Sequence, residues 1–236
     1  MTHGAVRQVT GHQVSAVDLV TVEVRRSILH GVLAPGQRVS VAGLARELGV
    51  SHIPVREALR RLENQGLIEL NHARSAVVVP LSLQDLQGIY ALRVLIEPEI
   101  AARSARLQTE SSIARMAGLI ATFEDVDPEV TWQAHQEFHL ALVRPAASEW
   151  DLRTLTQLWA AAERYTRLVF DFAEIVETER DRRERIHSDI LDAVRAGDRA
   201  ATRRSVMAHL KANEAEIVEQ LAPAVPTSER PGRSSA

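Results

Sequence analysis

Residues 40–80, SVAGLARELGVSHIPVREALRRLENQGLIELNHARSAVVVP, decide the fold of the first part of this 236-residue chain. Ser40 has a hydroxyl that can cap the free N–H groups of a helix start, and Val41, Leu44, Ala45 and Leu48 follow it at helical spacing. Gly49 supplies the stop. Ser51 caps a second helix, Pro54 is tolerated only in that helix's first turn, and Val55, Leu59 and Leu62 form its apolar stripe. Gly66-Leu67-Ile68-Glu69-Leu70 and Ala76-Val77-Val78-Val79 then read as paired strands joined by a turn containing Asn71, His72 and Arg74. Two short helices at a tight turn, followed by a basic-tipped hairpin, make a winged helix-turn-helix, whose second helix fits the major groove of duplex DNA.

On that second helix the polar positions are His52, Arg56, Arg60 and Arg61. Arg56 is the first candidate for a base edge, because a guanidinium can bond guanine O6 and N7 together, a pair that discriminates by about 1–3 kcal/mol. A lone exposed arginine is ordinarily just a solvated helix residue. The adjoining turn and wing favour contact. The residues expected to face DNA are Ser40, Arg46, Ser51, His52, Arg56, Arg60, His72 and Arg74.

The stretch HGVLAPGQRVSVAGLARELGVSHIPVREALRRLENQGLIEL resembles the signature of the GntR family, with a GxLxPGxxL opening, an LAxxLGVSxxPVREAL core and an xxLExxGL close. The likeness covers roughly residues 17 to 80 and implies a DNA-binding regulator. Two positions depart from the family pattern. His52 stands where arginine is usual and offers at most two donors against five, and Ser75 stands where the wing commonly has glycine, which leaves Asn71 or His72 to adopt positive φ. The family's operator therefore does not transfer to this chain.

Length points to more than one domain, and 45% hydrophobic content suffices for sizeable cores. The absence of cysteine excludes disulfides and zinc–thiolate sites and fits a reducing compartment. No apolar run approaches the roughly 18 residues that span a bilayer, and MTHGAVRQVTGHQ lacks the apolar centre of a signal peptide, so a cytoplasmic protein is expected. The net charge of −3 divides unevenly: residues 12–80 carry eight arginines against six carboxylates, whereas residues 81–222 carry seventeen basic and twenty-four acidic groups. The basic part should face DNA and the acidic part should be repelled by it.

After residue 80 the pattern is all helical. Ser82 and Asp85 suggest a capping box for a helix through Leu86, Tyr90, Arg93 and Ile96, with Pro98 able to bend it. Further helical patterns cover about 111–124, 128–143, 149–172, 178–196 and 199–221. Asp127-Pro128 starts one helix, and Gly197-Asp198 closes one and caps the next. The expected fold class is mainly α: a winged helix-turn-helix of three helices and a β-hairpin over 12–80, a linker near Pro80-Leu81-Ser82, and an all-helical bundle over 83–221. Segments 1–11 and 222–236 are expected to be disordered. The scarce aromatics Trp132, Trp150, Trp159, Tyr165, Phe170 and Phe172 lie in the acidic half, where they suit core or pocket walls better than stacking on single-stranded nucleic acid.

Within residues 81–222 there are four histidines, His135, His139, His187 and His209. The i, i+4 spacing of the first two puts both imidazoles on one helix face, as a metal ion held by one rigid element requires, and facing helices could supply the rest. A histidine at the edge of a core is also commonly just a satisfied polar residue. Residues 83–221 resemble the FCD ligand-binding domain of the FadR subfamily through YALRVLIEPEIAARSA, QEFHLAL, IHSDILDAVRAGDRAAT and the later HL. In metal-containing members an Asp four residues before the FH histidine, that histidine and two late histidines bind the ion. By position these are His135, His139, His187 and His209, with His135 replacing the Asp.

Four neutral imidazoles leave a divalent ion its full charge and shift preference toward Zn²⁺, with Ni²⁺, Co²⁺, Cu²⁺ or Mn²⁺ as alternatives. The resemblance also implies that Arg93 faces a carboxylate effector, although its spacing equally suits a surface ion pair with Glu97. The mixed charge run Arg180, Arg182, Arg183, Glu184, Arg185 reads as a solvated face and is assigned no site. The expected protein is a ligand-responsive transcription regulator, a repressor in the commoner family outcome and not an enzyme. Its partners would be a pseudo-palindromic operator, a small carboxylate and a second copy of itself. A metal-dependent hydrolase is the opposing reading, but Glu137 lies off the face shared by His135 and His139. A purely structural ion is the third.

Overall fold

A computed structural model of the chain describes residues 15–71, 75–124, 127–169 and 177–222. Residues 1–79 and 80–236 form two compact units. The terminal segments read as disordered lie outside the described residues, apart from Ala222, which is the C-cap of the last helix.

The first unit contains α1 (Ala16–Leu29), β1 (Arg38–Ser40), α2 (Val41–Glu47), α3 (His52–Asn64), β2 (Ile68–Asn71) and β3 (Ser75–Val78). Ser15 and Asp18 close a reciprocal cap at the start of α1. Ser40 caps α2 by accepting the Gly43 N–H at 2.9 Å. After α2, Gly49 takes φ +65° and Val50 N–H returns to Ala45 O at 3.0 Å, an ending that a side chain at Gly49 would strain. Val55, Ala58, Leu59 and Leu62 recur at i, i+3, i+4 and i+7 on α3. They pack against Val20, Val24 and Ile28 of α1, Leu44 of α2 and Ile68, Ala76 and Val78 of the sheet.

The sheet has three antiparallel strands in the order β1-β3-β2, so the wing is more than the expected hairpin. Val39 opposes Ala76 and Ser40 opposes Ser75, while Leu70 and Asn71 oppose the same two residues from the other side. Three residues are too few for a period-two pattern to show, which is why β1 was not read from the sequence. The expected strand beginning at Gly66 is also corrected. Gly66 takes φ +70° and Leu67 N–H bonds Leu62 O at 3.0 Å, so both residues finish α3 before β2 starts. Asn71 is the last residue of β2, and the wing tip 72–74 lies outside the described residues.

The second unit is a bundle of α4 (Leu83–Ser104), α5 (Glu110–Ala121), a short 3₁₀ turn (Thr122–Glu124), α6 (Pro128–Val143), α7 (Glu149–Val169), α8 (Glu177–Arg195) and α9 (Arg199–Leu221). Ser82 caps α4 by accepting from Asp85 N–H. Asp127 caps α6 ahead of Pro128, and Asp198 caps α9 by accepting from Ala200 and Ala201 N–H. The helix α4 runs through Pro98, whose missing N–H leaves the Val94 carbonyl without its intrahelical donor.

Its core has two parts. Met116, Phe138, Leu142, Leu155, Ile190, Val206 and Leu210 lie in the larger. Leu86, Tyr90, Tyr165, Ile217 and Leu221 form a smaller one at the linker-proximal end. Trp132 and Tyr165 are buried as expected, but Trp150 is 74% exposed, with the Arg153 guanidinium 5.2 Å from its ring centre. Phe170 and Phe172 lie outside the described residues.

Candidate metal centre and nucleic-acid interface

One turn of α6 separates His135 from His139, so their rings leave the same face, with centroids 4.7 Å apart. The helix α8 brings His187 to 5.0 Å from His135, and α9 brings His209 to 4.7 Å from His187. One ring nitrogen from each of the four lies within 4.8 Å of the others. In a tetrahedral shell with bonds of about 2.1 Å the nitrogens would lie roughly 3.4 Å apart, so an inward shift of about an ångström per ring closes this set.

His187 has its orientation fixed. Nδ1 lies 2.7 Å from the Arg183 carbonyl, an acceptor, so Nδ1 carries the proton and Nε2 keeps its lone pair. The Nε2 atoms of His139, His187 and His209 are buried and have no hydrogen-bond partner among the described residues. Buried ring nitrogens are normally satisfied. Three orphans aimed at one place fit a cation that accepts their lone pairs.

The electrostatics keep His135, His187 and His209 neutral. Burial, then repulsion from His139, lowers His187 to about 3, against the pull of the Arg183 carbonyl. His135 and His209 are held well below the ordinary histidine value by burial first and by the neighbouring rings second. Neutral imidazole is the metal-binding form.

A carboxylate absent from the expected ligand set stands behind His139. Glu97 is fully buried, and its Oε1 lies 3.2 Å from His139 Nδ1. Its Oε2 accepts from Arg93 Nε and from Trp159 Nε1, each at 3.1 Å. Burial pushes the Glu97 carboxyl up, but the Arg93 charge and His139 outweigh it and leave it at about 2. The expected Arg93–Glu97 ion pair therefore exists, but not at the surface: the side chains are 7% and 0% exposed. Helical spacing is the same for a solvated pair and a buried one, and only the packing of α4 distinguishes them.

Two narrow clefts, each with about 30 Å³ of free space, meet at this cluster and share Trp132, His135, Thr166 and Asn213. Arg93, His139, Trp159 and Glu163 line the second, while His187, His209, Arg182 and Arg183 line the first. The reading of Arg182 and Arg183 as a plain solvated face is thereby corrected. Arg182 also bonds Glu216 of α9 at 3.0 Å. A mixed charge run carries no sign of which of its members turns inward, so the sequence could not single out these two.

In the first unit, His52, Arg56 and Arg60 are all exposed on α3, and Arg46 is exposed in the last turn of α2. Arg56 makes no hydrogen bond or ion pair among the described residues, whereas Arg60 bonds Glu57 at 2.8 Å and Arg61 bonds Asp18 at 2.6 Å. Ser51 stands at the N-cap of α3, but its side chain makes no capping bond, contrary to expectation. His72 and Arg74 lie outside the described residues.

The bacterial regulatory proteins of the gntR family match residues 17–78, and the FCD domain matches residues 88–212. The chain belongs to the GntR family of regulators that carry an FCD domain. This GntR protein is 30% identical to the regulator BphR of Paraburkholderia xenovorans over 164 residues, 65% of this chain and 67% of that one. It is 28% identical to the transcriptional repressor RspR of Escherichia coli K12 over 191 residues, covering 79% and 82% of the two chains. The solved structure of E. coli McbR/YncC shares the fold, with a TM-score of 0.74 at 24% identity over 88% of this chain and 99% of that one.

The GntR chain is thus a DNA-binding transcription regulator, and the proteins it matches are regulators rather than enzymes. Glu137, the nearest sequence candidate for a general base, is exposed and bonds Arg115 at 2.7 Å. Among the described residues, no helix is long and apolar enough to cross a membrane.

Proposed function

We propose that this regulator is a cytoplasmic repressor that grips a pseudo-palindromic operator as a homodimer and lets go when a small carboxylate binds at a metal-bearing histidine cluster. The carrying observation is that the Nε2 atoms of His139, His187 and His209, which have no partner among the described residues, meet where the cleft lined by Arg93 and His139 adjoins the one lined by His187 and His209. His135, His139, His187 and His209 would hold the ion, and their all-nitrogen donor set favours zinc. When bound, the ion would supply a positive charge that four neutral imidazoles do not cancel, which favours an anionic ligand. The chain's own residues do the rest. Arg93 offers its guanidinium to a carboxylate, Trp132 and Trp159 wall off water, and His187 is pinned by the Arg183 carbonyl.

On the DNA side, Arg56 would read a base edge, supported by its exposure and its lack of a competing partner among the described residues, while Ser40, Arg46, Ser51, His52, Arg60, His72 and Arg74 would position the unit on the duplex. The unbonded Ser51 hydroxyl, at the start of α3, is available to a phosphate. Arg60 would have to exchange Glu57 for DNA. For the dimer, α4 presents Gly88, Ala91, Leu92 and Leu95 at i, i+3, i+4 and i+7, all exposed, as a face for its counterpart in a second copy.

The test strips the purified protein with a chelator, measures its affinity for promoter DNA, then adds zinc and a panel of hydroxy- and keto-carboxylates. Zinc at one ion per chain, lost in His139→Ala with His187→Ala, is expected, together with release of DNA by some carboxylate only in the zinc-loaded form. Four protein donors can also fill a tetrahedral shell on their own, which favours a structural ion as the second reading. That reading is upheld if zinc binds and no carboxylate alters DNA affinity.

A further inference from the structure

We propose that Glu97 is a positioning residue for the histidine cluster: it fixes the proton of His139 on Nδ1 and turns His139 Nε2 toward the other three imidazoles. The inference rests on the metal reading above and extends it to a residue on a fourth helix.

The argument begins with the two oxygens of one carboxylate. Oε2 receives two N–H donors, Arg93 Nε and Trp159 Nε1, both at 3.1 Å. Neither donor can act as an acceptor, because a guanidinium and an indole N–H carry no available lone pair. An acceptor is therefore obligatory at the Oε2 position. Oε1 has His139 Nδ1 at 3.2 Å, a contact whose alignment falls short of a hydrogen bond, and neither atom has a hydrogen-bond partner among the described residues.

Since Oε1 can only accept, the favourable state of His139 places its proton on Nδ1 and leaves the lone pair on Nε2. Carboxylates behind metal-binding histidines act in this way, fixing the tautomer and raising the ligand's basicity. Arg93 and Trp159 hold Glu97 from α4 and α7, so the orientation of His139 is set by elements other than its own helix.

The same geometry makes Glu97→Gln a sharp probe. Its amide oxygen must take the Oε2 position to serve Arg93 and Trp159, which puts the NH₂ at the Oε1 position, beside His139 Nδ1. That NH₂ donates, so His139 Nδ1 becomes an acceptor and the ring proton moves to Nε2, the atom required by the ion. The substitution changes one atom and inverts the tautomer. A bystander role in packing alone would leave the tautomer as it was.

The experiment uses the full chain, stripped of metal, with ¹⁵N-labelled histidine. Long-range ¹H–¹⁵N spectra read each ring's tautomer, and titrations with Zn²⁺ and with Co²⁺, followed by calorimetry and by the visible cobalt bands, read affinity and coordination. Wild type should have His139 protonated on Nδ1. Glu97→Gln should have it on Nε2, bind zinc about 10- to 100-fold more weakly, and give altered cobalt bands.

Because Glu97→Gln strands the buried Arg93 charge, Arg93→Met with Glu97→Gln is measured beside it. That double variant keeps the Trp159 donor and removes the stranded charge, and it should show the same inverted tautomer and weakened zinc binding. A His139 still protonated on Nδ1 in these variants, or a zinc affinity within twofold of wild type, overturns the assignment. Failure of the wild type to bind either ion would overturn the metal reading instead, and the tautomer spectra would judge Glu97 on their own.

Discussion

Acidifying the metal-free protein from pH 8 to pH 5 should destabilise its helical unit by about 2 kcal/mol through His187 alone. The ring sits at about 3 in the folded chain against an ordinary 6.5. Between those values the unfolded chain holds a proton that the folded one does not, so stability is full above pH 6.5 and falls as pH falls. At about 1.36 kcal/mol per pH unit once the unfolded ring is protonated, the loss by pH 5 is roughly 2 kcal/mol. His135 and His209, also lowered, steepen the fall in the same sense.

Carboxylates interfere little in this window, since Glu97, lowered from 4.5 to about 2, withdraws its stabilisation only as pH drops through that lower range. The assay is urea unfolding with a chelator present, followed by tryptophan fluorescence. All three tryptophans, at 132, 150 and 159, belong to the helical unit, so the signal reports that unit. His187→Gln should flatten the pH dependence by about 2 kcal/mol over the same range. A wild type whose midpoint is level from pH 8 to 5, or a variant with the wild-type slope, would refute the reasoning.

Other expectations concern separate parts of the molecule. Arg56→Ala should weaken operator binding by about 1–3 kcal/mol while changing nonspecific binding little, as read by anisotropy on specific and scrambled duplexes; equal losses would make it a phosphate contact. Leu95→Asp, at a position 73% exposed in the single chain, should convert dimer to monomer in sedimentation without lowering the melting temperature of the monomer. At neutral pH, zinc at one hundred times its dissociation constant should stabilise the helical unit by about 2.7 kcal/mol, and a chelator should remove that gain.

Much of the fold could be read from residues that act locally. Ser40, Gly49, Asp127, Gly197 and Asp198 determine helix ends through capping bonds and positive φ, interactions that span a few residues and leave a mark in the sequence. The pairing of His135 with His139 was legible for the same reason, because helical periodicity alone places them on one face. The features that escaped depend on tertiary packing. β1 exists because β3 offers it an edge, Glu97 is buried because α7 covers it, and Arg182 and Arg183 face a cleft because α9 lies opposite. Gly66 fits either a strand start or a helix stop, and the closing bond from Leu67 to Leu62 decides between them.

The long final helix has a mechanical consequence. From His209 to Leu221, α9 runs thirteen residues without a break, a rod of about 18 Å at 1.5 Å per step. At its far end Ile217 and Leu221 press on Leu86, Tyr90 and Tyr165, with Leu81 packed alongside, and the Tyr165 hydroxyl donates to the Ser82 carbonyl. A stiff rod cannot tilt at one end alone. A displacement of the His209 ring would therefore reach Leu81 and Ser82, at the start of the helical unit, as a movement of the whole rod.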